Sequence, residues 1–99
     1  MKFNERCYTI LKQIPKGKVT TYKALAHAIG SRAYRAVGTA MKKNTDAPHV
    51  PCHRVVNSDG KVGNYSSDGG GTKKISLLKQ EGIIVKNGKV DLKKYEWHF

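Results

Sequence analysis

Acidic residues are scarce in this chain. Seven Asp and Glu face nineteen Lys and Arg in 99 residues, a formal charge of +12. Such an excess serves solubility at the least. Its sharper meaning is a polyanionic partner, nucleic acid ahead of a membrane surface. Long apolar runs are also missing, since none approaches the ~20 residues of a membrane helix. The start, MKFNERCYTILKQ, sets charges inside its apolar pattern and is no signal peptide. An intracellular protein with no membrane partner is expected. Cysteine is limited to Cys7 and Cys52, too few for a disulfide framework. A bridge between them is not expected in a reducing compartment. His49, Cys52 and His53 cluster, but the second ligand pair of a structural zinc site is lacking, and Cys7 and His27 are too scattered to supply it. No metal and no cofactor are expected. An apolar fraction of 38% and this length allow one small domain with one core, 1–99, with no internal repeats.

What is present is mostly helical pattern. Phe3, Cys7, Ile10, Leu11 and Ile14 fall at helical spacing, with Asn4 as N-cap and Pro15 as the stop. Cys7 lies on that stripe and reads as a core residue. A second helix is predicted over 22–29, capped by Thr20 or Thr21, with Ala24, Leu25, Ala28 and Ile29 inward and Gly30 at a left-handed end. A third runs over 32–43 with Ala33, Ala36, Val37, Ala40 and Met41 on its apolar side. Arg54-Val55-Val56, the turn Asn57-Ser58-Asp59-Gly60 and Lys61-Val62 read as strand, turn, strand. A glycine-rich loop over 63–71 lacks the order of a phosphate-binding P-loop and reads as a lid. A fourth helix is predicted over 72–80, with Ile75, Leu77 and Leu78 apolar. Ile83-Ile84-Val85, Asn87-Gly88 and Lys89-Val90 form a hairpin signal with a type I′ turn, and Asp91 caps a final turn. Trp97 and Phe99 are expected to anchor the tail. The fold class is mainly α with short β-hairpins, a winged-helix-like helix-turn-helix domain.

The second and third helices, separated by a short turn around Gly30, make the helix-turn-helix candidate. A plain helix pair in a small core is the bland alternative. The third helix carries Arg35-Ala36-Val37-Gly38-Thr39-Ala40, small for a major-groove reader, where Asn, Gln or Arg would contact base edges. Docking by shape fits it better than direct readout.

The chemistry centres on Val50-Pro51-Cys52-His53-Arg54-Val55-Val56. A free thiol is only a few per cent thiolate at neutral pH and needs a base or cations nearby to attack anything. His53 is adjacent in sequence, but in an extended strand neighbouring side chains point to opposite faces. Contact therefore needs an irregular turn or a bridging water. Local sequence leaves a reactive and a buried Cys52 equally open.

Four motifs then occur in order. They are Ile14-Pro15-Lys16-Gly17-Lys18-Val19 with Thr21-Tyr22; Arg35-Ala36-Val37-Gly38-Thr39-Ala40 with Asn44; Pro51-Cys52-His53-Arg54-Val55; and Val62-Gly63-Asn64-Tyr65-Ser66, followed by Leu77-Leu78 and Glu81-Gly82. Together they resemble the DNA-binding, cysteine-bearing domain of the 6-O-alkylguanine-DNA alkyltransferases, the methylated-DNA–protein-cysteine methyltransferases. The resemblance runs from about Phe3 to Val85.

The resemblance implies a protein that flips 6-O-alkylguanine out of double-stranded DNA, docks through its helix-turn-helix in the minor groove, and transfers the alkyl group irreversibly to Cys52. On it, Arg35 fills the space left by the flipped base, and Tyr22 disturbs a phosphate and donates to a purine nitrogen. Thr21 and Ala36 lie with them on the DNA-facing side. A water links Cys52 to His53, which pairs with Glu81, and Asn44 braces the turn presenting the cysteine. Carbonyls of Cys52 and Val55 accept from the guanine amino group, Ser66 donates toward the substituted oxygen, and Tyr65 covers the base. Arg54 is structural, tying backbone or a carboxylate. A monomer acting once per molecule is expected.

The chain departs from the family pattern. The family's amino-terminal domain is expected to be absent. The inter-helix turn is one residue shorter and lacks its proline, and the lid over 66–72 is about two residues longer. The tail with Tyr95 and Trp97 resembles the alkyltransferase-like proteins, which bind the same lesions without transfer. A lesion sensor is therefore the alternative to alkyl transfer, and a sequence-reading transcription regulator a third. A papain-like hydrolase is excluded, because its Cys and His come from distant sequence. His27, His49 and His98 receive no role, and Lys73, Lys74, Lys93 and Lys94 read as solvated or phosphate-facing.

Overall fold

The computed structural model describes residues 2–44, 49–63 and 70–99, with backbone alone at 70–72. Its helices are α1 Phe3–Leu11, α2 Tyr22–Ala28, α3 Tyr34–Lys42, α4 Gly70–Gln80 and α5 Leu92–Tyr95. Its strands are β1 Thr20–Thr21, β2 Val55–Val56, β3 Val85–Lys86 and β4 Lys89–Val90. The mainly helical class with short strands is as expected. The lid over 63–71 lies mostly outside the described residues.

Helix α1 buries Cys7 and Leu11 against the other helices. Asn4 does not cap it. Phe3 packs on the core, so the helix starts two residues earlier, and Lys2 holds the cap position without a side-chain bond. Before Pro15 the backbone tightens through Gln13 N–H to Ile10 O at 3.0 Å and Ile14 N–H to Leu11 O at 3.1 Å. That suits the restriction proline places on its predecessor. The Tyr8 hydroxyl donates to Ala40 O at 2.7 Å and ties α1 to α3.

Thr21 caps α2, its hydroxyl accepting from Ala24 N–H at 3.0 Å. The helix closes with Ser31 N–H on Ala26 O at 2.9 Å and Gly30 N–H on His27 O at 3.0 Å, with Gly30 at φ +73. This paired closure is the left-handed ending the glycine predicted. Leu25, Ala26 and Ile29 point inward, while Ala24 and Ala28 are only half-buried. Helix α3 starts at Tyr34, two residues later than expected, because Ser31 Oγ takes Ala33 N–H at 3.0 Å and keeps the turn open. Val37, Ala40 and Met41 are buried on it, Ala36 is half-buried and Ala33 is exposed. Helices α2 and α3 form the helix-turn-helix.

The reading of 54–62 as a hairpin is corrected. Arg54 belongs to a single 3-10 turn, Cys52–Arg54, and β2 pairs in parallel with β1, Thr20 opposite Val55 and Thr21 opposite Val56. Val55 and Val56 are both fully buried, as suits a covered parallel pair rather than a half-exposed hairpin. The 57–60 turn does form, with Gly60 N–H on Asn57 O at 2.9 Å. It delivers the chain to β4 instead, where Lys61 bridges Lys89 and Val90 N–H reaches Gly60 O at 2.9 Å. Strands β3 and β4 make the expected hairpin, with Asn87 at φ +53 and Gly88 at φ +72. Asp91 caps α5 by accepting Lys93 N–H at 3.1 Å. Trp97 packs on the core and its backbone N–H donates to Val19 O at 2.7 Å, but Phe99 is 47% exposed and lies outside the core clusters.

Two apolar clusters result, one among α1, α2 and α3 and one around Val19, Val56, Leu78, Ile83 and Val90. The β1–β2 pair lies along their seam, and the 3-10 turn carrying Cys52 leads straight into it.

Gly60 sits at φ +88, and a Cβ there would meet Val90 O at 2.5 Å. Gly60→Ala is expected to cost about 3 kcal/mol or more, roughly 10–20 °C in melting temperature. Gly30→Ala, at φ +73 with nothing within 4 Å, should cost only about 1–2 kcal/mol. Thermal melts of the two variants check this, and equal losses would refute it.

Candidate functional site

The thiol is presented by a tightly wound corner. Cys52 N–H reaches Val50 O at 2.8 Å and Arg54 N–H reaches Pro51 O at 2.9 Å, closing the 3-10 turn. In such a turn consecutive side chains diverge by ~120° rather than alternating between two faces. The adjacency of Cys52 and His53 is therefore not that of a strand. From outside the turn, Asn44 Nδ2 donates to Val50 O at 2.8 Å in a buried bond. Cys52 itself is 4% exposed and carries no disulfide.

His53 and Arg54 both turn to one carboxylate. His53 Nε2 lies 3.0 Å from Glu81 Oε2. Arg54 clamps both oxygens, Nε to Oε1 at 2.9 Å and Nη2 to Oε2 at 2.6 Å. Its Nη1 donates to Ile14 O at 2.7 Å. Arg54 thus ties both a carboxylate and backbone, as the sequence reading held. Burial pushes the His53 imidazole below its ordinary value, against the opposing pull of Glu81, so the neutral ring is favoured. Burial alone would raise Glu81, but the hydrogen bonds and charges of Arg54 and His53 outweigh it and hold the carboxyl below its usual range. With Nε2 committed to Glu81, a proton leaving the thiol would be taken at Nδ1.

Tyr22 is half-buried at the start of α2. Burial first, and the Cys52 charge second, push its hydroxyl up and keep it a neutral donor. Tyr22 and Arg35 share one open cleft of about 720 Å³, with Tyr34 and Gly38 on the helix side and Asn57 and Lys61 opposite. Arg35 is exposed near the start of α3, and Ala36 beside it is half-buried. Thr21 is buried and its hydroxyl is used by the α2 cap. Across the shortened inter-helix turn, His27 Nε2 lies 3.0 Å from the Tyr34 hydroxyl. Val55 is buried at the end of the thiol turn. Tyr65 and Ser66 lie outside the described residues. Among the described residues no group of His, Cys, Asp and Glu could hold a metal, and no helix is long and apolar enough to cross a membrane.

The reading of Lys74 as solvated or phosphate-facing is overturned. It is 1% exposed, and Nζ donates to Val55 O at 2.6 Å. The ammonium also stands 6.0 Å from the centre of the Tyr22 ring, at the edge of cation–π range. A signal existed: Lys74 precedes buried Leu78 by four residues and so shares its inward helical face.

The family model of the DNA-binding domain of 6-O-methylguanine DNA methyltransferase matches residues 2–83. A bifunctional methyltransferase/endonuclease of Picrophilus torridus is 45% identical over 92 residues, covering 92% of this chain and 30% of that protein. The structure of an O6-methylguanine-DNA methyltransferase from Pyrococcus kodakaraensis superposes with a TM-score of 0.74 at 44% identity, over 84% of this chain and 47% of that one. An alkyltransferase-like protein of Schizosaccharomyces pombe, in complex with damaged DNA containing O6-carboxymethylguanine, reaches a TM-score of 0.88 at 32% identity, covering 100% of both chains. The chain thus spans under half of the two methyltransferases and the whole of the alkyltransferase-like protein.

His53 and Glu81 both titrate below their unfolded values of 6.5 and 4.5. The stability they contribute is present above those values and is lost as pH falls through them. The melting temperature should fall in two stages, first below about pH 6.5 and again below about 4.5. Glu81→Gln leaves Arg54 without its carboxylate and should cost about 3–5 kcal/mol at pH 7 while removing the second stage. Melts from pH 3.5 to 8 test both, and a glutamine variant as stable as the parent at pH 7 would contradict them.

Proposed function

The chain belongs to the family of the 6-O-methylguanine DNA methyltransferase DNA-binding domain, and from that premise we propose that it repairs 6-O-alkylguanine in double-stranded DNA by transferring the alkyl group to Cys52. The observation that carries this reading is a buried free thiol next in sequence to the imidazole of the His53–Glu81–Arg54 chain. The helix-turn-helix enters the minor groove, and the small surface of α3 around Ala36 and Gly38 allows close approach. Arg35 takes the place of the flipped base, and the excess of cations holds phosphate.

In the reaction, His53 takes the thiol proton through a solvent molecule, and Glu81 steadies the imidazolium that forms. The Cys52 sulfur attacks the alkyl carbon; the S–C bond forms as the C–O6 bond breaks. The guanine leaves with a developing negative charge, which the Tyr22 hydroxyl stabilises by donating to a ring nitrogen. Proton return from imidazolium to guanine through solvent leaves a neutral base. Asn44 keeps the turn in place, and the carbonyls of Cys52 and Val55 accept from the guanine amino group. The product is a thioether, so each molecule acts once, as a monomer.

A second reading rests on the end-to-end match to the alkyltransferase-like protein, whose length this chain shares. On it, the chain binds the lesion and transfers nothing.

Incubation with a duplex containing 6-O-methylguanine, followed by intact and peptide mass measurement, separates the two. Transfer predicts one methyl on Cys52, at most one equivalent, and none in Cys52→Ala. Tight lesion-dependent binding with no mass change would establish the sensor instead.

A further inference from the structure

Lys74 is the buried charge that the reaction as written leaves without a task. It enters from α4 and stops among three titratable groups on other elements. These are Tyr22 at the start of α2, and Cys52 and His53 on the 3-10 turn. Its one hydrogen bond among the described residues is to Val55 O at 2.6 Å. No carboxylate among the described residues pairs with it. A buried lysine without a carboxylate is costly to maintain as a bare structural tie, because a neutral donor could hold the same carbonyl.

We propose that Lys74 is a positioning residue of the transfer site, its ammonium fixing the Val55 carbonyl for the incoming base. This rests on the transfer reading for its consequence, though not for its geometry. Two observations support it. The ammonium is 1% exposed and donates to Val55 O at 2.6 Å. The same charge disfavours a second proton on His53, which keeps the ring available as a base, while Glu81 offsets the repulsion once the imidazolium forms. Burial lowers Lys74 to about 8, so the site keeps its ammonium at neutral pH and sheds it in mildly alkaline solution. Val55 O then loses its charged donor.

The test compares the parent chain, Lys74→Met and Lys74→Arg, each first shown folded by its melting curve. Single-turnover methyl transfer is followed from pH 6 to 9, and binding of a duplex containing 6-O-methylguanine over the same range in the Cys52→Ala background. The parent should lose rate as pH rises through about 8. Lys74→Met should lack that limb, run about tenfold slower at pH 7, and bind the lesion-containing duplex more weakly in the Cys52→Ala background. Lys74→Arg, which keeps its charge throughout, should lack the limb yet retain more of the rate. A methionine variant whose profile keeps the parent's alkaline limb, or that binds the lesion as tightly as its lysine counterpart, overturns the proposal. If the parent transfers no methyl at all, the transfer reading fails, and the lesion-binding comparison alone still decides for or against Lys74.

Discussion

One carboxylate holds the working parts of this chain in register. Glu81 stands just past the end of α4, where the helix dipole disfavours an anion. It is held there by the bidentate guanidinium of Arg54 and the imidazole of His53. Arg54 also reaches Ile14 O, at the exit from α1. Three segments remote in sequence therefore meet at one charged knot, and the thiol turn is the middle one. Each contact is charge-assisted and geometrically specific. A small core offers few other ways to fix a turn so exactingly.

The knot sets what lies on either side of it. Below it, β2 leaves the turn and pairs with β1, which ends in the Thr21 cap of α2. The first residue of that helix is Tyr22. The position of Tyr22 relative to Cys52 is thus transmitted through two paired residues and one cap, with little slack. Above it, Asn44 binds the carbonyl of Val50 from the end of α3. The helix-turn-helix and the thiol turn are coupled through both ends of the same pair of helices. Asn44, two residues past α3, is the tie between the helix that carries Arg35 and the turn that carries Cys52. Under the proposed reading, that links seating on DNA to the geometry of the nucleophile.

Much of this was legible in the residues, and the limits have physical causes. Helices with a continuous apolar stripe, α1 and α3, could be placed within a few residues, as could turns that demand positive φ, such as Gly30 and Asn87-Gly88. The pairing of Val55-Val56 could not. Two-residue strands carry no period, and a neighbouring turn signal at 57–60 favoured the wrong partner. Only the burial of both valines, a tertiary fact, distinguishes the parallel pair. The His53–Glu81 contact came from family resemblance, because no local rule joins residues 28 apart. Lys74 was misjudged because a lysine is normally assigned to solvent on composition alone. Its helical phase with Leu78 argued otherwise, and the phase was the better guide.

The fold by itself serves both a transferase and a lesion binder, as the two kinds of relative it superposes on make plain. Fold does not choose between them, so the proposed reading rests on the site. A surface that only recognises a flipped base needs shape and a few donors. It has no proton to move. This chain keeps a neutral-favouring imidazole next in sequence to a thiol, a carboxylate held ionised against that imidazole, and a buried ammonium on the carbonyl of Val55. Buried ion networks of this kind are weak contributors to stability, since desolvation consumes much of their attraction. Their placement around Cys52 is better accounted for by proton and charge handling at sulfur than by holding a small domain together. That is the physical reason for preferring transfer over recognition alone.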